Sequence, residues 1–302
     1  SLQNAFLDAS SFNGDLSNWN LTTVTNLEGT FKNAAAFNQN IGGWNVSRVT
    51  TLESTFENAV AFNQNIGGWS LHNVTTLENT FNGASVFNQD ISAWGNKVDS
   101  VTTLKSTFNG ASVFNQDIGG WNVDNVTNLE STFEGASDFN QDISGWNVEN
   151  ITTMVSTFKN AVAFDQNITL WNPIRMSHTL FSTMFSGATA MTSTYGSTVG
   201  FNDGTNTGTP TRGFFGIADL ILTWTNVPAD GSSVRVPIYG GTSLSSTLDT
   251  IQWNTDTAIA VSNFPSYNTP TTGGTMTVIA TITVNSGYFT TFGGWDSGST
   301  GL

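Results

Sequence analysis

The chain has 302 residues and no cysteine, so neither a disulfide nor a thiolate metal site is available to it. Charge is also scarce, since only 10% of residues are Asp, Glu, Lys or Arg, against about a quarter in an ordinary soluble domain. The chain has 8 basic and 22 acidic residues and a formal net charge of −14. It therefore lacks the basic patch that nucleic acids or anionic membranes require, and neither is expected as a partner.

Long apolar runs are missing as well. No run approaches the roughly 18 residues that a membrane span needs, so no membrane insertion is expected within this segment. No signal peptide is visible. The segment Leu2–Phe6 resembles Leu27–Phe31, so the chain opens in the middle of a repeat, and we expect a mature or trimmed part of a longer protein.

What the chain has in abundance is a repeat. Seven of its ten tryptophans are separated by intervals of 25, 25, 25, 27, 25 and 25 residues. A fixed period of this size indicates small units that bury their apolar faces against their neighbours. The repeated tryptophans are Trp19, Trp44, Trp69, Trp94, Trp121, Trp146 and Trp171.

The first half of a repeat predicts a short strand. The unit at residues 37–61 reads FNQNIGGWNVSRVTTLESTFENAVA. Its residues Phe37, Gln39 and Ile41 alternate with Asn38 and Asn40, and this period of two places Phe37 and Ile41 on an inward face. The tryptophan that follows is expected to pack in the core.

The second half predicts a short helix over Thr51–Glu57. Thr50 and Glu53 have the spacing of a capping box, and one later column contains only Asn and Gly, which tolerate the left-handed conformation after a helix. The apolar positions, spaced by 3, 4 and 3, are Val49, Leu52, Phe56 and Ala59. The Asn and Gly column is Asn33, Asn58, Gly83, Gly110, Gly135, Asn160 and Gly187.

These patterns predict two domains. Residues 1–190 are expected to form a leucine-rich-repeat-like β/α solenoid of about seven 25-residue repeats, with parallel strands, short helices and a degenerate last repeat as a cap. Residues 191–213, rich in Thr, Ser, Gly and Asn, predict a linker or irregular cap, and residues 214–302 predict an antiparallel β-sandwich. The strand-like runs are Asp219–Thr225, Ser233–Tyr239, Thr250–Trp253, Ala258–Val261 and Thr275–Val284.

The repeats resemble the bacterial surface protein 26-residue repeat family, a DUF285-type domain grouped with BspA-like leucine-rich repeats. The resemblance is carried by WNVDNVTNLESTFEGASDFNQDISGW, from Trp121 to Trp146, and covers about residues 2–189. Family members usually carry Met where this chain has Leu52 and Thr55, a difference expected to affect packing only. The resemblance implies an extracellular, surface-displayed protein of bacteria, protists or their large viruses, without catalytic residues. The second domain resembles a PKD- or immunoglobulin-like module, with IQWNTD at Ile251–Asp256 similar to that module's DWGDG strand.

Two columns of amides and carboxylates are expected on the outward strand face. They would contact sugar hydroxyls or the edge of a protein ligand. Alternatively, stacked Asn side chains hydrogen-bond one another and serve only the fold. The candidate binding residues are Asn38, Asn40, Asn63, Asn65, Asn88, Asp90, Asn115, Asp117, Asn140 and Asp142.

No cofactor and no catalysis are expected. Calcium remains an alternative because oxygen ligands are plentiful, although no D-x-D-x-D-G loop occurs. His72 and His178 lie in different units with no nucleophile in register, so the chain is not expected to be an enzyme. Six sequons of the form N-x-[ST] occur, at Asn20, Asn45, Asn73, Asn125, Asn150 and Asn167.

The expected function is therefore recognition. We expect an extracellular adhesion module, on a cell or virion surface, that binds protein or glycan through the repeat face. The alternative is a structural subunit of a surface layer, fibre or filament that uses the same faces for self-assembly. Ice binding by threonine-rich faces is a third interpretation.

Overall fold

The computed structural model describes residues 1–173, 178–202 and 208–215, and the backbone of six short strands between residues 218 and 284. The chain divides into two compact units, Ser1–Gly216 and Ile217–Leu302. Within the described segments, no helix is both long enough and apolar enough to cross a bilayer.

In the first unit, backbone hydrogen bonds join each repeat to the next. The N–H groups of Ser54 and Phe56 donate to the carbonyls of Glu78 and Thr80, both at 2.9 Å, and alternate residues do the same in the other repeats. Successive repeats are therefore neighbours in a parallel ladder. Its isolated parallel bridges are Asn26–Thr51, Thr51–Thr76, Thr76–Thr103, Thr103–Asn128 and Asn128–Thr153.

The helix predicted at Thr51–Glu57 is wrong. The segment is a series of tight turns, in which the Thr55 N–H donates to the Leu52 carbonyl at 3.0 Å, three residues back rather than four. Ser54 and Asn58 have φ angles of 53° and 56°, which a right-handed helix does not allow. Because each turn returns the chain to the same side after three or four residues, it reproduces the apolar spacing of a helix.

The strand predicted at residues 37–41 is also wrong, although the side chains face as the alternation predicts. Phe37 and Ile41 are fully buried. No backbone ladder forms there, because the N–H of Asn63 donates to the side-chain Oδ1 of Asn38 at 2.9 Å instead of to a backbone carbonyl. The link between repeats at this position is thus made by side chains.

Aromatic rings fill the core in columns. The rings of Phe56 and Phe81 are 5.7 Å apart and 7° from parallel, and those of Trp44 and Trp69 are 6.4 Å apart and 3° from parallel. The later six repeat tryptophans are at most 4% exposed, which confirms that they belong to the core, whereas Trp19 in the first repeat is 42% exposed. Each of these six indoles also donates to a carbonyl in the preceding repeat, at 3.0–3.3 Å.

A buried threonine column shows that the difference at Thr55 affects more than packing. The Thr80 hydroxyl, fully buried, lies 2.8 Å from the Leu77 carbonyl and 2.9 Å from the Leu52 carbonyl of the preceding repeat. Thr55 makes the equivalent contacts one repeat earlier. A Met at this position has no donor, so the threonines add hydrogen bonds between repeats that a thioether cannot.

The 27-residue interval between Trp94 and Trp121 coincides with a local departure from the common backbone. Residues Ser92–Lys97 form a 3-10 segment that is broken at Gly95, where φ is 3° and ψ is −101°. Trp94 remains fully buried inside it. The irregular segment therefore accommodates the extra residues without displacing the core.

The repeats end in a closing segment that extends past residue 190. It contains 3-10 helices His178–Phe181 and Arg212–Phe215 and the helix α1, Thr189–Tyr195. Phe214 and Phe215, which the sequence places at the start of the second domain, lie in the first compact unit, Ser1–Gly216. Both rings are buried there, since apolar rings that close the end of a repeat array gain by packing against it.

The closing segment also accepts hydrogen bonds from backbone N–H groups at the end of the ladder. The N–H of Phe185 donates to the Gly208 carbonyl at 2.6 Å, and the N–H of Thr183 donates to the Thr209 Oγ1 at 2.9 Å. Residues 208 and 209 thus take the place that a further repeat would fill. The end of the ladder is closed by the chain's own atoms.

The described part of the second unit contains antiparallel strands. Their bounds are β1 Ala218–Leu222, β2 Ser233–Val234, β3 Ile251–Trp253, β4 Ala258–Ile259, β5 Tyr267–Asn268 and β6 Val278–Val284. Four of them form a sheet in the order β1-β6-β3-β4, and β2 pairs with β5. Five strands overlap the predicted runs, and β5 has no counterpart among them.

Candidate functional site

The first predicted column, here called the amide column, has its acceptor atoms engaged in the fold. Asn88 is half-buried, and its Oδ1 accepts the N–H of Asn115 at 2.9 Å and the Nε2 of Gln116 at 2.8 Å. The same two bonds recur from repeat to repeat, so each amide holds the next repeat in register. The candidate residues in this column are Asn38, Asn63, Asn88, Asn115 and Asn140.

The second predicted column, here called the turn column, is exposed. The Oδ1 of Asp142 accepts the N–H of Ser144 at 2.9 Å, and each member makes the same bond to the residue two positions on. This bond fixes the side chain while its second polar atom stays at the surface. The members are Asn40, Asn65, Asp90, Asp117 and Asp142, all of which are exposed.

The members of the turn column differ in charge, since Asn40 and Asn65 are neutral and the other three are aspartates. The equivalent position is Asp15 in the first repeat and Asn167 in the last, and both make the same turn bond. Hydrogen bonds from the Ser92 side chain and backbone hold the pKa of Asp90 below its ordinary value. The Ser144 side chain and backbone lower the pKa of Asp142 in the same way. Both carboxylates are therefore ionised at neutral pH, and this part of the column is a row of fixed acceptors.

The described residues offer no metal centre, because no three His, Asp or Glu side chains there come close enough together to hold an ion. The Nδ1 of His72 lies 3.1 Å from the Ser70 Oγ on an exposed turn. The side chain of His178 lies outside the described residues. The turn column presents amides and carboxylates in a fixed exposed row, whereas the acceptor atoms of the amide column are already used by the fold.

A further acidic column was not predicted. Glu28, Glu53 and Glu78 occupy equivalent positions in three successive repeats, and burial, followed by the charges of Glu78 and Glu28, raises the pKa of Glu53. Lys105 takes this position in the next repeat, with its Nζ 3.8 Å from both Glu78 and Glu130. The signal was present in the sequence as a charge reversal at one repeat position, but it becomes interpretable only once the repeats are known to be in contact.

Comparison with known proteins identifies a family for the repeats. Residues 1–97 and 95–198 each match the family described as "Mycoplasma protein of unknown function, DUF285". No curated protein and no solved structure matches the chain. The two matched segments together span most of the chain and contain all seven repeat tryptophans. The chain belongs to the DUF285 family of repeat proteins.

Proposed function

We propose that the chain is an extracellular, surface-displayed recognition module, without enzymatic activity, that binds a protein or glycan ligand through the turn column. The observation that carries the proposal is the repetition of one exposed, turn-fixed polar side chain in every repeat. Parallel rungs are about 4.8 Å apart, so the column offers acceptors at short, regular intervals.

Fixed side chains are suited to binding because little conformational entropy remains to be lost. Immobilising a flexible side chain costs about 0.5–1.5 kcal/mol on binding. In the turn column, the bond from Ser144 to Asp142 has already restricted the carboxylate. Its remaining oxygen can accept from a sugar hydroxyl or a backbone N–H, which supports a hydroxyl- or amide-rich ligand.

The alternative function is a subunit of a surface layer, fibre or filament. Stacking of one array on the closing segment of another copy is disfavoured, because Gly208 and Thr209 already occupy the N–H groups of Phe185 and Thr183. Assembly would have to use the lateral faces.

The ladder supports a solenoid description of the repeats, and the antiparallel pairing of β1 with β6 supports a PKD- or immunoglobulin-like sandwich for the second unit.

The test is binding of the full chain to a glycan array and to extracts of surface proteins. The triple variant Asp90→Asn, Asp117→Asn and Asp142→Asn keeps the turn acceptor, as Asn40 and Asn65 do, while removing three charges. We expect it to lose binding at least tenfold. The control triple variant is Asp8→Asn, Glu130→Gln and Asp138→Asn, which removes the same charge away from the turn column and should bind as the parent does.

Two results would overturn the proposal. Equal loss of binding in both triple variants would show that net charge, and not the turn column, attracts the ligand. Ordered polymers of the purified parent chain in electron micrographs, in place of discrete particles, would favour the structural alternative.

A further inference from the structure

We propose that Asn20 and Asn167 are acceptors for N-linked glycans, and that Asn73, Asn125 and Asn150 are not when the chain is folded. All five lie in N-x-T sequons, so the sequence alone does not distinguish them. The proposal rests on the proposed surface location, which would bring the chain into contact with a glycosylating enzyme.

At the two proposed acceptors, the threonine hydroxyl of the sequon donates a hydrogen bond to the side chain of the asparagine in the same sequon. The Oδ1 of Asn20 accepts the N–H of Thr22 at 3.0 Å and its Oγ1 hydroxyl at 2.8 Å. The Oδ1 of Asn167 accepts the same groups of Thr169 at 3.1 and 2.7 Å. Both asparagines are exposed, and among the described residues neither Nδ2 donates a hydrogen bond. The nucleophilic amide nitrogen is thus accessible.

At the other three sequons, the asparagine amide and the threonine hydroxyl both form hydrogen bonds between repeats. The Nδ2 of Asn73 donates to the Ser47 carbonyl at 2.7 Å, and the hydroxyl of Thr75 donates to the Thr50 carbonyl at 3.2 Å. The equivalent amide bonds run from Asn125 to Asp99 at 2.7 Å and from Asn150 to Asp124 at 2.8 Å, and the hydroxyl bonds run from Thr127 to Thr102 and from Thr152 to Thr127. A transferase would have to break two bonds between repeats to engage them.

The chemistry is a group transfer without oxidation or reduction. The donor is an oligosaccharide carried on a polyisoprenyl diphosphate. A bond forms between the asparagine Nδ2 and C1 of the first sugar, while the bond from C1 to the diphosphate oxygen breaks. The lipid diphosphate leaves with the electron pair, and the proton lost from Nδ2 passes to a base of the oligosaccharyltransferase.

The experiment is glycosylation of the full chain in vitro, with a purified oligosaccharyltransferase that modifies the chain after denaturation. Site occupancy is measured by peptide mass spectrometry on the folded and on the denatured chain. In the folded chain we expect occupancy at Asn20 and Asn167 to exceed that at Asn73 by at least about tenfold. That ratio corresponds to about 1.4 kcal/mol, within what two hydrogen bonds contribute. The denatured chain should show similar occupancy at all five sites.

Variants separate the geometry from the sequence motif. Thr169→Val should abolish modification at Asn167 alone, and Thr169→Ser, which keeps the hydroxyl, should retain it. Modification of Asn73, Asn125 or Asn150 in the folded chain at the level of Asn20 would overturn the proposal, as would an unmodified Asn167 in a folded chain whose denatured form is modified there.

Discussion

Replacing Asn88 by alanine tests whether the amide column holds the repeats together. The substitution removes the Oδ1 that accepts the Asn115 N–H at 2.9 Å and the Gln116 Nε2 at 2.8 Å. A buried backbone donor without a partner costs about 1–3 kcal/mol, and a typical side-chain bond contributes about 0.5–1.5 kcal/mol. Because Asn88 is half-buried and water reaches part of the site, we expect a total loss of about 2 kcal/mol in the free energy of unfolding.

The assay is thermal and urea unfolding of the full chain, followed by tryptophan fluorescence. A loss of about 2 kcal/mol corresponds to a fall in Tm of about 4–8 °C for a unit of this size. Asn88→Asp is the matched control, because it keeps an oxygen acceptor in the same place, and it should lose clearly less. If the alanine variant unfolds within about 1 °C of the parent, roughly an eighth to a quarter of that fall, the amide column is not structural.

Three further predictions concern other parts of the first unit. Thr80→Val removes a hydroxyl that bridges two buried carbonyls at 2.8 and 2.9 Å, and we expect calorimetry to show a loss of about 1–2 kcal/mol; no loss would contradict the role of this column. The raised pKa of Glu53 means that the folded chain binds its proton more tightly than the unfolded chain, so stability should fall as the pH rises above the unfolded value toward the folded one. Glu53→Gln should flatten that dependence and increase stability at pH 7, whereas an unchanged pH profile would refute the assignment. Phe214→Ala should cost about 3 kcal/mol if the closing segment packs on the array, and a change near zero in urea unfolding would show that it does not.

The core could be predicted from the sequence because burial depends on side-chain periodicity alone. Phe37, Ile41 and Trp44 recur at fixed positions, and each is buried. The left-handed column at Asn58 was visible for a similar reason, since only Asn and Gly occur there. Burial and a left-handed backbone each restrict a position to a few residue types, so the constraint is visible in the sequence.

The backbone geometry could not be predicted in the same way. A second left-handed position at Ser54 is filled by Asn, Gly, Ser and Thr in different repeats, so no composition signal marks it. The 3, 4, 3 spacing of apolar residues fits successive tight turns as well as a helix. Likewise, alternation at residues 37–41 fits a strand, but the acceptor for Asn63 is the side chain of Asn38. The eight residues at this second left-handed position are Asn4, Gly29, Ser54, Asn79, Ser106, Ser131, Ser156 and Thr183.

The candidate site could be predicted only as a set of residues. Both columns were expected on one outward face with equivalent roles. The structure separates them, since Asn88 is half-buried and bonded to the next repeat, whereas Asp90 is exposed and bonded to its own turn. The distinction depends on whether the N–H donor to the side chain comes from the next repeat or from the same turn. The sequence of a single repeat does not show which of the two supplies it.

Amide hydrogen exchange of the full chain tests the ladder between repeats most directly. The N–H groups of Ser54, Phe56 and Asn58 donate to carbonyls of the next repeat at 2.9, 2.9 and 2.6 Å, so they should exchange only when the array unfolds. The N–H of Glu53, which donates to the Thr51 hydroxyl at 3.1 Å on a more open part of the repeat, should exchange much faster. Equal protection of Glu53 and Ser54, as a continuous helix would give, or rapid exchange at Phe56, would contradict the ladder.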